Sequence, residues 1–190
     1  MTRDKSTPTK SSDNDYTAKD IHVLGGREAV RRRPGMYIGS TDQRGLHHLV
    51  YEIVFNCVDE AMAGCCTRIK ITVQQDGFVR VEDNGRGIPV EIHPTTKISA
   101  LETVMTTLHA GAKFGGKTYQ VSGGLHGVGA SVVNALSSQL KINVQRNGKL
   151  YQQEYQQGIP QGEVTETGKA RTTGTTITFL ADEKIFGQAI

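Results

Sequence analysis

Residues 45–64 (GLHHLVYEIVFNCVDEAMAG) carry the pattern that most narrows what this chain can fold into. Leu49, Val50, Ile53, Val54, Val58 and Ala61 recur at helical spacing and form a wide apolar arc, with Gly64 placed to stop the helix. Such a helix must lay that arc on a core. At about 100° per residue, Asn56 and Asp59 project within about 40° of Glu52, opposite the arc. A carboxylate one turn from a carboxamide is usually a solvated face. It also suits chemistry: Asn56 offers a neutral oxygen for a hard cation such as Mg²⁺, and Glu52 a base to polarise a water attacking phosphorus.

The segments after the helix define the class. Arg68–Gln75 alternates with period two, Asp76-Gly77 makes a turn, and Phe78–Glu82 returns. Ser99–His109 is helical in pattern, Gly111–Gly124 is a long glycine-rich loop of the functional kind, and 128–138 reads as a helix. Gln139–Arg146 and Lys149–Tyr155 flank Asn147-Gly148 as a β-hairpin. Thr175–Leu180 is a last strand after a weakly patterned loop. A short helical segment at 19–33 ends at Arg33-Pro34, because proline disfavours helix in the residue before it. Without βαβ alternation, this order predicts an α+β fold, a two-layer sandwich with helices on one face of a mainly antiparallel sheet.

Composition sets the outer limits. The 190 residues, 36% hydrophobic and 22% charged, suit one domain that buries roughly 70% of its extended surface without a metal or disulfide. Residues 1–15 are polar and unpatterned and are expected to be a disordered tail, leaving 16–190 as the domain. No apolar run nears the ~20 residues of a membrane span, and residues 1–20 are too polar for a secretory signal, so a cytoplasmic location is expected. Cys57, Cys65 and Cys66 are read as buried free thiols. The net charge is only +3, and Arg31-Arg32-Arg33 reads as a solvated helix end, so neither argues for DNA contact.

Two further segments carry chemistry. In Glu82-Asp83-Asn84-Gly85-Arg86-Gly87-Ile88-Pro89, Asp83 stands where a strand ends in a glycine turn. That is simple turn chemistry, or else backbone held close to a flat ligand whose exocyclic amine donates to the carboxylate. Ser122–Ser131 (SGGLHGVGAS) runs into a helix and offers backbone N–H groups to an anion. It lacks the Gly-Lys-Ser/Thr of a P-loop and does not follow a strand of a βαβ unit.

In this order the three segments resemble the adenine-nucleotide fold shared by gyrase, heat-shock chaperones, histidine kinases and mismatch-repair ATPases, the GHKL superfamily. Arg33–Gly39 (RPGMYIG), Gly45–His48 (GLHH), Asp83–Pro89 (DNGRGIP), Leu108–Ala110 (LHA) and Val121–Gly129 (VSGGLHGVG) are similar to the ATPase domains of bacterial type II topoisomerases. The likeness covers residues 16 to 186, closest to the gyrase B family, with the corresponding subunit of topoisomerase IV as the alternative. A histidine-kinase-type or non-hydrolysing nucleotide module is more remote.

The resemblance implies Glu52 as general base oriented by His48, and Asn56 as the Mg²⁺ ligand, with Asp59 and Glu60 beside them. It implies Asp83 on the adenine amine, helped by Thr175, and Arg86, Gly87, Ile88 and Pro89 walling the pocket, Arg86 paired to Glu60. Lys113 and Gly124, Leu125, His126, Gly127, Val128 and Gly129 would hold phosphates under a lid at about 99–124. Arg146 would lie at the mouth, where aminocoumarin antibiotics bind in this family. Tyr16 and Ile21 match an arm reaching into a partner protomer when ATP dimerises the domain. ATP and Mg²⁺ are the implied cofactors. The implied partners are the A protein of gyrase, in an A2B2 heterotetramer, and double-stranded DNA.

Three departures bear on these expectations. Phe55 stands where an acidic residue usually precedes the metal-binding asparagine. Ala112 replaces a lid glycine. The chain stops at Ile190, short of the transducer domain implied to send a lysine to the γ-phosphate and of the DNA-cleaving region. It is therefore expected to bind ATP well and hydrolyse it weakly.

Overall fold

A computed structural model describes residues 24–108, 110 and 129–187. Its elements are α1 (Gly26–Arg32), α2 (Gly35–Ile38), α3 (Gln43–Met62), β1 (Ile69–Val73), β2 (Val79–Asp83), α4 (Ala100–Thr106), α5 (Gly129–Ala135), β3 (Ser137–Arg146), β4 (Lys149–Gln156), β5 (Ile159–Pro160), β6 (Thr165–Lys169), β7 (Gly174–Ala181) and α6 (Glu183–Phe186). The strands form one sheet in the order β1-β2-β7-β3-β4-β5, with β6 also on β4, and every pairing is antiparallel. The α+β class read from the sequence is the one observed.

Helix α3 starts where Asp42 caps it, its carboxylate accepting from the Arg44 amide at 2.9 Å. It ends at Gly64, whose φ of +74° lets the Cys65 amide fold back onto the Glu60 carbonyl. Leu46, Leu49 and Ile53 from this helix share a core with Val79, Val81, Ile142, Val144, Ile177 and Phe179 from the sheet. Each side chain of this size contributes about 1.5–3 kcal/mol on burial. In β2, Val79 and Val81 face this core. Alternation puts Asp83 on the same face, at the end of the strand.

Several expectations are corrected. The helix read at 128–138 ends at Ala135, and strand β3 begins at Ser137. The turn is imposed by packing: Asn134 is buried with its amide donating to the Met105 carbonyl, and the Asp182 amide donates to the Leu136 carbonyl. The weakly patterned loop before the last strand contains β5 and β6. Arg31 is no solvated helix end. Its guanidinium donates to the Ala135 carbonyl at 2.8 Å and to Asp182 at 2.7 Å, while Arg32 and Arg33 are exposed. Of the three thiols, Cys57 and Cys66 are buried and Cys65 is half-buried. The helix expected at 99–109 ends at Thr106 and begins with Ser99 as its cap. The readings on residues 1–23 and 111–128 lie outside the described residues, as do Tyr16, Ile21, Ala112, Lys113 and Gly124 to Val128.

Candidate functional site

The site forms where the polar face of α3 meets the ends of β2 and β7 and the start of α5. Asp83 is its most constrained member. Its Oδ1 accepts from the Gly85 amide at 2.8 Å and the Thr175 amide at 3.2 Å, and its Oδ2 lies 3.5 Å from the Cys57 thiol. Burial pushes the Asp83 carboxyl above the usual carboxylate range. The Gly85 and Thr175 amides and the Cys57 thiol oppose that shift, and the nearby Glu60 charge adds to it.

Two glycines make this placement possible. Gly174 has φ of +153°, and a Cβ there would stand 2.2 Å from the Asp83 carbonyl oxygen. Gly87 has φ of +75°, and a Cβ would meet the Gln145 carbonyl at 2.7 Å. Both positions need the close backbone approach that only glycine permits. Asn84 fixes the turn from outside. Its Oδ1 accepts from the Thr67 and Arg68 amides at 2.9 and 2.8 Å, and its Nδ2 donates to the Thr67 hydroxyl.

Along α3 the predicted polar face is present but is not solvated. Glu52 is 4% exposed and Asp59 2% exposed, while His48, Asn56 and Glu60 are half-buried. His48 Nε2 lies 3.3 Å from Glu52 Oε1, and Glu52 Oε2 accepts from the Gly129 amide at 2.9 Å. The carboxylate thus sits at the first residue of α5, where the glycine-rich segment enters its helix. Glu60 forms a two-pronged pair with Arg86, Nε to Oε2 at 3.0 Å and NH2 to Oε1 at 2.8 Å. That pair ties the glycine turn to α3. Arg146 donates to the Gly87 carbonyl at 3.0 Å and has Glu91 3.7 Å from its Nε, which places it over the same turn. Ile88 packs on the core and Pro89 is exposed.

The structure therefore brings together Glu52 and His48 at one end, Asn56 and Asp59 along α3, and Asp83, Thr175, Arg86 and Arg146 at the other. Two participants and one contact escape the sequence reading. Cys57 reads as apolar filling, Gly174 carries no motif, and the contact of Gly129 with Glu52 spans 77 positions of sequence. Only Asn84 is signalled, by its place in Asp-Asn-Gly. A cavity of about 830 Å³ opens at this turn, lined by Asp83 and Asn84 together with Thr67, Lys70, Glu82 and Thr176. None of these side chains is fully buried, and Asp83 joins the cavity to the cluster on α3.

A helix carrying acid and amide, a half-buried aspartate at a glycine turn, and a second helix opening at Gly129 thus meet in one part of the fold. The family model described as "Histidine kinase-, DNA gyrase B-, and HSP90-like ATPase" matches residues 41–185. The chain belongs to this family. Relatives named as the B subunit of DNA gyrase share 57% identity over 176 residues in Staphylococcus epidermidis and in Treponema pallidum, covering 93% of this chain. The Thermotoga maritima protein of that name is 58% identical over 173 residues, or 91% of this chain. The chain spans about a quarter of these relatives, 27% of the first and last and 28% of the second. Membership in this ATPase family carries ATP binding with it. No helix among the described residues is long and apolar enough to cross a membrane.

Proposed function

We propose that this chain is the ATP-binding and ATP-hydrolysing part of a gyrase B-type protein, working in the cytoplasm within an enzyme that supercoils DNA. The carrying observation is a pair of carboxylates beside α3, Glu52 buried and Asp83 half-buried. Asp83 has one oxygen saturated by backbone amides, and Glu52 has one oxygen near His48 and the other on the Gly129 amide. The first is built to accept from a nucleobase amine, and the second stands at the entry of the glycine segment, where phosphates would lie.

In this reading adenine donates to Asp83 against the wall of Gly87, Ile88 and Pro89, with Thr175 behind it. The triphosphate runs toward Gly124–Gly129 and Lys113. Water placed at Glu52 gives up its proton to that carboxylate as its oxygen attacks the γ-phosphorus in line, and His48 holds the carboxylate's orientation. The contribution is positioning and charge, as in phosphoryl transfer generally. For Mg²⁺ the donor set fits: Asn56 presents a neutral amide oxygen one turn from Glu52, and Mg²⁺ takes few protein oxygens beside phosphate and water. Bound there, it would neutralise charge on the phosphates. Closure of a lid over ATP, with Tyr16 and Ile21 reaching a second copy, would dimerise the domain and shut a gate on a DNA duplex. The gyrase A protein would complete an A2B2 enzyme, and aminocoumarin-type inhibitors would enter beside Arg146.

The test is Glu52→Ala in the full-length protein. Hydrolysis should fall at least about 10²-fold while ATP affinity stays within a few fold, as expected for loss of a general base. Normal turnover by that variant would remove Glu52 from the role. With the gyrase A protein, the wild-type enzyme should supercoil relaxed DNA; decatenation without supercoiling would instead assign the chain to topoisomerase IV.

A further inference from the structure

One donor at the nucleobase end has no part in the chemistry above. Cys57 follows Asn56 on α3, but its side chain leaves the polar face and enters the gap between α3 and β2. It is 4% exposed, with Sγ 3.5 Å from Asp83 Oδ2 and 3.5 Å from the Ile53 carbonyl one turn back. The thiol has one proton to give: the Ile53 carbonyl is the acceptor any small buried polar side chain on a helix finds, and the Asp83 carboxylate is the charged and stronger one. The approach to Asp83 is not local, since 26 residues separate the two.

The two oxygens of Asp83 are used differently. An ionised carboxylate has about two acceptor positions on each oxygen. Those on Oδ1 are taken by the Gly85 and Thr175 amides. Among the described residues, Oδ2 has the thiol alone as a hydrogen-bond donor, which leaves one position on it. We propose that Cys57 is a positioning residue for nucleobase recognition, its S–H anchoring Asp83 Oδ2 so that the remaining acceptor position of that oxygen receives the exocyclic amine of the base. The proposal rests on the assignment of this site to ATP.

Two physical features support it. A thiol in ordinary surroundings is already mostly protonated at neutral pH, and the buried sulfur lies within hydrogen-bond reach of Asp83 Oδ2, so it acts as a donor there. A third donor also favours the ionised form of a carboxylate that burial otherwise works to neutralise. Without it, the carboxylate keeps its two amide bonds and loses the contact that fixes the oxygen meeting the ligand.

The experiment measures Kd by calorimetry for ATP and for purine riboside triphosphate, which has the same ring and phosphates without the 6-amino group. Cys57→Ala should weaken ATP about three- to tenfold, the size of one hydrogen bond, and leave purine riboside triphosphate within about twofold. Cys57→Val, which fills the space without a donor, should behave as Cys57→Ala. Cys57→Ser, which restores a donor, should return ATP affinity to within about twofold of wild type. Thermal unfolding of each variant confirms that folded protein is titrated, and either donor-free variant suffices alone.

Equal weakening of both nucleotides would show that Cys57 only fills space and overturn the proposal. So would unchanged ATP binding, or failure of serine to rescue. Asp83→Asn serves as the separate control. If that variant binds ATP as tightly as wild type, the adenine site itself is misassigned; if it loses ATP while the Cys57 variants do not, only the positioning role falls.

Discussion

Asp83 is a carboxylate placed where burial disfavours its charge, and the surrounding donors only partly offset that. The sign of its pH behaviour follows. Its folded pKa lies above the ordinary value of 3.8, so on acidification it takes up a proton earlier than a solvated aspartate would. The ionised form accepts from an amine and the protonated form presents a hydroxyl instead. ATP affinity should therefore be full above the raised pKa and fall as pH drops through it, beginning above the usual carboxylate range. Purine riboside triphosphate shares the phosphate titration, so the comparison removes that contribution. The ratio of the two Kd values should narrow on acidification, and a ratio flat down to the ordinary carboxylate range would mean that Asp83 does not bind the amine. The residue is legible in the sequence because strand alternation and a glycine turn both act locally. Cys57 is not: a small thiol beside an apolar arc looks like filling until the fold sets it against β2.

Among the elements, α3 and the hairpin β1–β2 are readable because periodicity and the Asp76-Gly77 turn are encoded within them. β5 and β6 are not. One has two residues, and the other has four of its five residues exposed on an outer strand, so neither carries alternation driven by a core. The end of α5 is hidden for another reason, since VVNALSS continues to look helical and tertiary contacts stop it. The join of α1 to the C-terminal end of β7 is similar. Asp182 caps α6 through the Lys184 amide and also takes Arg31 at 2.7 Å and Gln157 at 3.0 Å. Burial alone would raise its carboxyl, but Arg31 and these other donors outweigh burial and hold it below the usual range. Its stabilising contribution is present above the unfolded carboxylate pKa and is lost as pH falls through the lower folded value. Arg31→Ala should cost about 2–3 kcal/mol in urea unfolding at neutral pH, since it leaves a buried carboxylate without its cation. The deficit should shrink toward acid. A loss under about 0.5 kcal/mol, the scale of ordinary surface changes, would make the contact incidental.

For the whole molecule, α3 is the shared frame. Its apolar arc fixes it to the sheet, its Glu60 holds the glycine turn through Arg86, and its Glu52 meets the start of α5. The Glu52 carboxylate, the glycine turn and the start of α5 are thus tied to one helix, which is why a pattern visible in twenty residues foretells so much of the site. Contacts joining distant stretches, such as Gly174 against Asp83 and Gly129 against Glu52, lie beyond any local pattern. Gly174→Ala brings this dependence to a test at a position without chemistry. A Cβ 2.2 Å from the Asp83 carbonyl must displace β2 or β7, so we expect a cost of about 2–4 kcal/mol together with weaker ATP binding. Loss of neither in unfolding and titration experiments would mean that the strand ends adapt freely.

The central claim is that the half-buried Asp83 at the glycine turn makes this domain an adenine-nucleotide site. Calorimetric titration of the chain with ATP, wild type against Asp83→Asn, tests it most directly. The wild type should show saturable one-to-one binding, and the variant a loss of at least about tenfold, the cost of a charge-assisted hydrogen bond. Equal affinity in the two proteins, or no binding by the folded wild type, would contradict it.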